Sequence, residues 1–179
     1  RQLRLENRAF GSLNHIMKNL FLMRHGKSSW EYNVADRNRP LNERGIGDAI
    51  LVGNHLHSLG ISVEKVYSSM ANRALHTSII VMEKLLFDLN NFQVNKDLYD
   101  FSGDQVEYFV KRLDNSLQSV MIFGHNHALT EHANRWGDTY IDNVPTAGCV
   151  QLQFDVTSWS AVQKGTTKRT IFPKHLKIK

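Results

Sequence analysis

The chain has 179 residues, 41% apolar and 22% charged, with three prolines; this suits one soluble globular domain and excludes both a disordered chain and two ordinary domains. The formal net charge of +5 is confined to the ends, with +2 in residues 1–16 and +6 in residues 164–179, which leaves −3 for residues 17–163. Without a basic face interleaved with aromatics this balance argues against nucleic-acid binding, and no apolar run approaches the eighteen or so residues that span a bilayer.

The single cysteine, Cys149, has no partner for an internal disulfide. No secretory pattern precedes the first apolar run, so a reducing cytoplasm is the expected setting and Cys149 reads as a small core residue.

Residues 1–16 follow neither a helical nor a strand period and read as a leader or disordered extension. Residues 17–179 are then expected to form a single domain. "LFLM" at 20–23 is a buried strand that ends on Arg24-His25-Gly26. Adjacent residues of a strand point to opposite faces, so Gly26 is expected to let the chain turn and bring Arg24 and His25 to one ligand. "GKSSWEYNVADRNRP" reads as a long loop, of the kind that in compact domains usually serves function.

A helix follows, with Asn42 as its cap, Gly60 as its stop and Ile46, Ala49, Ile50, Gly53, Leu56 and Leu59 on one face. "ISVEKVYSS" is a second short strand. The next helical stripe takes in Ala71, Ala74, Leu75, Ser78, Ile79, Met82, Leu85 and Leu86, and a third follows the brief "FQVNKDLYDF", through Val106, Phe109, Val110, Leu113 and Leu117. "SVMIFGHNHALTEHANRW" repeats the opening theme of apolar strand, glycine and histidine, then helix. "AGCVQLQFDV" and "SWSAVQKG" alternate as two antiparallel edge strands would. Strands alternating with helices imply a three-layer α/β/α sandwich around a mostly parallel sheet.

In such sheets ligands bind beyond the carboxyl ends of the strands. Three strands here end on Arg24-His25-Gly26, on Ser68-Ser69 with Arg73 soon after, and on Gly124-His125-Asn126-His127. Any one of these alone reads as a solvated or structural group. Together they are two arginines and two histidines at one sheet edge. Arginine forks match phosphate oxygens, and their positive potential keeps an imidazole neutral and nucleophilic near pH 7. The set suggests phosphoryl transfer through a phosphohistidine. A metal site on His125-x-His127 is the competing reading, but no cysteine or acidic cluster completes it nearby in sequence. No Walker loop is present, so a nucleotide-dependent kinase is unsupported.

"LMRHGKSSW", "DRNRPLNERG", "YSSMANRALHT" and "FGHNHALTE", in this order over about residues 17–156, resemble the histidine phosphatase superfamily with its phosphoglycerate-mutase-like fold, and within it the short SixA-type phosphohistidine phosphatases. The resemblance implies His25 as the phosphorylated nucleophile, Arg24 and Arg73 on the phosphoryl oxygens, and His125 completing the pocket. Arg39 matches a position that reaches the substrate phosphate, with Ser28 and Asn126 as weaker binding candidates. Many members supply a glutamate acid after the third strand. Here Asp97 and Asp100 are the nearest substitutes, and His127 stands where many relatives carry proline.

The resemblance implies no metal and no cofactor, since the arginines supply the charge a cation would. The expected partner is a phosphorylated protein, with a small phosphorylated molecule as the alternative, and with no membrane or nucleic acid involved. A catalytically idle phosphate-binding module is the rival from a different class.

Overall fold

The computed structural model describes residues 16–178, so residues 1–15, within the expected leader, lie outside the described residues. The expected strand at 20–23 is the middle of β1 (Lys18–Arg24). It is followed by α1 (Glu43–Ser58), β2 (Lys65–Ser68), α2 (Asn72–Lys84), β3 (Phe92–Val94), α3 (Asp104–Lys111), β4 (Ser119–Gly124), α4 (Ala128–Trp136), β5 (Cys149–Phe154), β6 (Thr166–Ile171) and α5 (Pro173–Leu176). No helix among the described residues is long and apolar enough to cross a membrane.

The six strands form one sheet in the order β3-β2-β4-β1-β5-β6. The first four run parallel, β5 runs against β1, and β6 runs against β5. The fold is thus the mostly parallel α/β sandwich that the alternation of elements implies. β1 is apolar on both faces because the sheet is covered on both. Leu20 and Leu22 pack under α3 and α4 with Val106, Phe109, Leu129 and Trp136. Phe21 and Met23 pack under α1 and α2 with Val52, Leu56, Val81 and Met82, and Cys149 joins them as a buried core residue.

Three local expectations are corrected. The buried face of α1 is Gly45, Asp48, Ala49, Val52, Gly53 and Leu56, while Ile50 and Leu59 are exposed. Asp48 is buried yet ion-paired with the more exposed Arg44 at 3.5 Å and Lys177 at 3.0 Å, and the second pair ties the basic C-terminal segment to α1. The inner face of α2 likewise carries Arg73, Thr77 and Val81, whereas Ile79 and Leu86 face outward. "SWSAVQKG" is not a strand: Trp159 starts a short 3-10 turn and is fully buried, its indole N–H donating to Leu117 O at 2.9 Å. The last strand comes later, in β6, so part of the basic end is the sheet's edge, where exposed Lys168 and half-buried Arg169 discourage pairing with another chain.

The reason for glycine at 26 also differs from expectation. Gly26 does not adopt a left-handed conformation. A Cβ there would sit 2.8 Å from Gly45 O, and one on Gly45 would overlap Lys27 O. The end of β1 and the first turn of α1 thus touch backbone to backbone. Gly47, two residues on, has nothing within 4 Å of an added Cβ. Gly47→Ala should therefore stabilise the fold by about 0.5–1 kcal/mol through helix propensity. Gly45→Ala, the same change on the same helix, should destabilise it by about 1–3 kcal/mol through overpacking. Urea unfolding midpoints moving the same way for both variants would refute the contact as the cause.

Candidate active site

β1 and β4 are in parallel register with Arg24 opposite Gly124. The next residue of each strand is a histidine, so the pairing itself sets His25 and His125 side by side, ring centroids 5.1 Å apart. His25 N donates to Gly124 O at 3.2 Å, and Ala147 N donates to His25 O at 2.9 Å. Gly26 N donates to Thr77 Oγ1 at 2.9 Å, and that hydroxyl donates to Arg73 O at 2.7 Å. One threonine on α2 thus ties the turn after β1 to the arginine one helical turn earlier.

His25 is buried, and its Nδ1 lies 2.7 Å from Gly26 O. A carbonyl only accepts, so Nδ1 carries the proton and Nε2 presents the lone pair, which accepts from Arg73 Nε at 3.4 Å. Burial lowers the His25 pKa to about 4; the Gly26 carbonyl opposes this, and Arg73, Arg24 and Arg39 push the same way as burial. His125, also buried, lies with Nε2 2.8 Å from Ser69 Oγ and Nδ1 3.5 Å from Arg73 Nη2. Burial, with His25 and Arg73 adding to it, lowers its pKa to about 2. Both rings are neutral at pH 7.

Arg24, His25, Ser28, Asp36, Arg39, Arg73 and Asn126 line one cavity of about 260 Å³. Arg24 donates through Nη1 to Val144 O at 2.9 Å, while its buried Nε has no partner among the described residues. Arg39 reaches back from the long loop, donating through Nη2 to Ser28 Oγ at 2.5 Å and through Nε to Ser29 O at 3.2 Å. The loop is closed at its base by an antiparallel bridge between Ser28 and Leu41. Three guanidinium groups around a neutral imidazole whose Nε2 lone pair is met only by a long bond from Arg73 can hold a phosphoryl group and attack it.

The sequence-derived candidates divide. His25, Arg24, Arg73, Arg39, Ser28 and Asn126 all line the cavity, and His125 contacts His25 and Arg73. Both functions of the Asn126 amide are engaged, with Val144 O, Asn143 and Thr130, so it orders the wall. His127 is exposed at the N-terminus of α4 and makes no side-chain cap.

The two aspartates put forward as acids stand elsewhere. Asp97 lines a separate cavity with Tyr67, Asn95 and Arg112. Asp100 caps α3, its carboxylate accepting from the backbone N–H of Ser102, Gly103, Gln105 and Val106 at 3.0–3.2 Å. These bonds commit the Asp100 carboxylate to the first turn of α3, and it does not line the cavity of His25.

The carboxyl that does line the cavity is Asp36, which the sequence reading passed over. It accepts from Arg73 Nη2 at 3.0 Å and Tyr99 Oη at 2.5 Å, and pairs with Arg39 Nη1 at 3.3 Å. Burial pushes its pKa up, but these bonds from Tyr99, Arg73 and Arg39 outweigh it and hold the carboxyl at about 2. The available signal was the spacing Asp36-x-x-Arg39, which a 3-10 turn at Asp36–Asn38 brings to one side. Ser69 was noted only as a strand end and Thr77 was missed, because their roles are contacts between elements.

The family model for the histidine phosphatase superfamily (branch 1) matches residues 20–108. The chain is 26% identical over 153 residues to an uncharacterized chloroplastic protein of Arabidopsis thaliana, covering 80% of this chain and 70% of that one. It is 33% identical over 82 residues to a 2,3-bisphosphoglycerate-dependent phosphoglycerate mutase of Elusimicrobium minutum, covering 43% of this chain and 32% of the mutase. Among solved structures it is similar to the protein histidine phosphatase SixA complexed with tungstate, with a TM-score of 0.76 and 22% identity over 89% of this chain and 99% of that one. The last likeness is one of fold.

Proposed function

The chain belongs to the histidine phosphatase superfamily and is a phosphatase; from that premise we propose that it works through a phosphorylated His25 and removes phosphate from phosphohistidine on a protein. In the first step His25 Nε2 bonds to phosphorus as the P–N bond to the leaving imidazole breaks, and that imidazole takes its proton from water at the cavity mouth. Arg24, Arg39 and Arg73 carry the charge of the equatorial oxygens, and His125 faces the same group. In the second step water attacks phospho-His25, releasing inorganic phosphate and restoring the ring.

The observation that carries the choice of substrate is the state of Asp36. It is the one carboxyl lining the cavity among the described residues, and it is held ionised down to a pH of about 2. Such a group is a poor proton donor at neutral pH. An alkoxide leaving group needs a donor, whereas an imidazole, with a pKa near 6.5, needs far less help.

The test is phosphate release from a phosphohistidine-bearing protein, 3-phosphoglycerate and sugar phosphates under matched conditions. General acids contribute about 10²–10⁴-fold, so kcat/KM on phosphohistidine should exceed that on the alkyl esters by at least about 10²-fold. Equal or inverted values would establish instead the small-molecule phosphomonoesterase, a reading the mutase relative keeps in view. No release from any of them would leave the idle phosphate-binding module.

A further inference from the structure

The phosphate end of the cavity is accounted for by the arginines and histidines. Its mouth is different. Trp30 and Phe101 line the same cavity and are 77% and 47% exposed, two large aromatic surfaces at one opening. Each lies against a residue of the phosphate end. The Trp30 indole stacks on the Arg39 guanidinium, 3.2 Å from ring centre to Cζ, and its high exposure leaves the ring open to solvent. The Phe101 ring lies 5.0 Å from the His125 ring and 5.3 Å from that of Tyr99. A group leaving phosphorus therefore departs past two aromatic surfaces already anchored by the phosphate site.

Polar partners at the mouth are few. The Asn126 amide is engaged with Val144 O, Asn143 and Thr130, Ser28 Oγ accepts from Arg39, and the Asp36 oxygens accept from Arg39, Arg73 and Tyr99, which leaves Lys27 and Thr146. A polyhydroxylated leaving group finds little here to bond, whereas a flat ring can stack on Trp30 and meet Phe101 edge or face.

We propose that Trp30 and Phe101 form a leaving-group slot that selects substrates whose phosphoryl group is attached to a flat aromatic or heteroaromatic ring. This deepens the phosphohistidine reading and rests on it for the identity of the ring. The slot makes the ring a recognised part of the substrate, in addition to its being an easy group to expel. Trp30 and Phe101 are specificity-determining residues, and the chemistry stays with His25.

Binding of non-hydrolysable phosphonates tests the slot without turnover. Calorimetric Kd values for phenylphosphonate and methylphosphonate compare a ring with a methyl group on the same anionic head. In the wild type, phenylphosphonate should bind about tenfold tighter, the scale of a good aromatic contact plus its covered area. Trp30→Ala and Phe101→Ala should each bring the ratio to within about two- to threefold, and Trp30→Phe should restore most of it. Because Trp30 also supports Arg39, the ratio is the readout and not either Kd alone. A wild-type ratio near one, or a ratio unchanged in both alanine variants, overturns the slot. A tenfold ring preference in a protein that leaves phosphohistidine untouched supports the slot and overturns the substrate reading. Rapid phosphohistidine turnover with no ring preference does the reverse.

Discussion

His25→Ala should lower phosphatase turnover by at least about 10⁴-fold and abolish the acid-labile phosphoenzyme trapped when wild-type protein is quenched during turnover. The expectation follows from the tautomer. Gly26 O accepts from Nδ1–H, which leaves Nε2 as the one basic atom of that ring, accepting a long bond from Arg73 Nε at 3.4 Å. No neighbouring imidazole can replace it, because His125 is locked by Ser69 through Nε2 and faces Arg73 through Nδ1. Retention of the trapped phosphoenzyme in His25→Ala would place the nucleophile elsewhere.

The same environment fixes the pH behaviour. The His25 pKa is about 4, lowered first by burial, against about 6.5 in the unfolded chain. The nucleophile thus stays unprotonated well below neutrality. Between pH 6.5 and 4 the unfolded chain binds more protons than the folded one, so the contribution of His25 makes stability fall as pH falls through that window. Ring signals assigned by their absence in His25→Ala should stay flat from pH 8 to about 5.5, and a midpoint near 6.5 contradicts the buried neutral ring.

Arg73→Lys should cost about 10²–10³-fold in kcat, although it preserves charge. Arg73 uses its whole fork: Nε faces His25, Nη2 faces His125 and Asp36 Oδ2, and Nη1 donates to Asp36 O at 2.7 Å. A lysine ammonium reaches one of these places at a time. It would leave Asp36 with less to hold it and the buried imidazoles without a common donor. Asp36→Asn removes the partner and keeps the fork, so its effect should be the smaller of the two. If Arg73→Lys retains wild-type kcat, Arg73 acts as a simple point charge and the clamp described above fails.

Much of the candidate site was legible because charged and imidazole side chains at strand ends interrupt apolar runs. Arg24-His25 after "LFLM" and His125 after "SVMIFG" stand out in that way, and Arg73 follows "YSS" at the start of a helix. The Asn42 cap was equally plain, its Oδ1 accepting from Gly45 N at 2.8 Å, because capping is a local interaction between residues three apart. The carboxyl that lines the cavity was not legible. Asp97 and Asp100 fall where an acid was expected along the chain, yet a cap for α3 and a separate cavity claim them. Asp36 lies in a polar loop whose composition does not reveal its fold.

By itself the sequence determined the layer architecture and the phosphate chemistry. Burial of period-two and period-3.6 apolar faces is a local rule, and a nucleophile with its arginines needs only those residue types at neighbouring strand ends. Tertiary structure alone decided three things. The β1–β4 register put the two histidines side by side. The approach of α1 to the end of β1 requires glycine at 26 and 45. The loop from 29 to 40 folds back to give Arg39, Asp36 and Trp30 to the cavity. Each depends on contacts between elements far apart in the chain, where spacing along the sequence carries no information about distance in space.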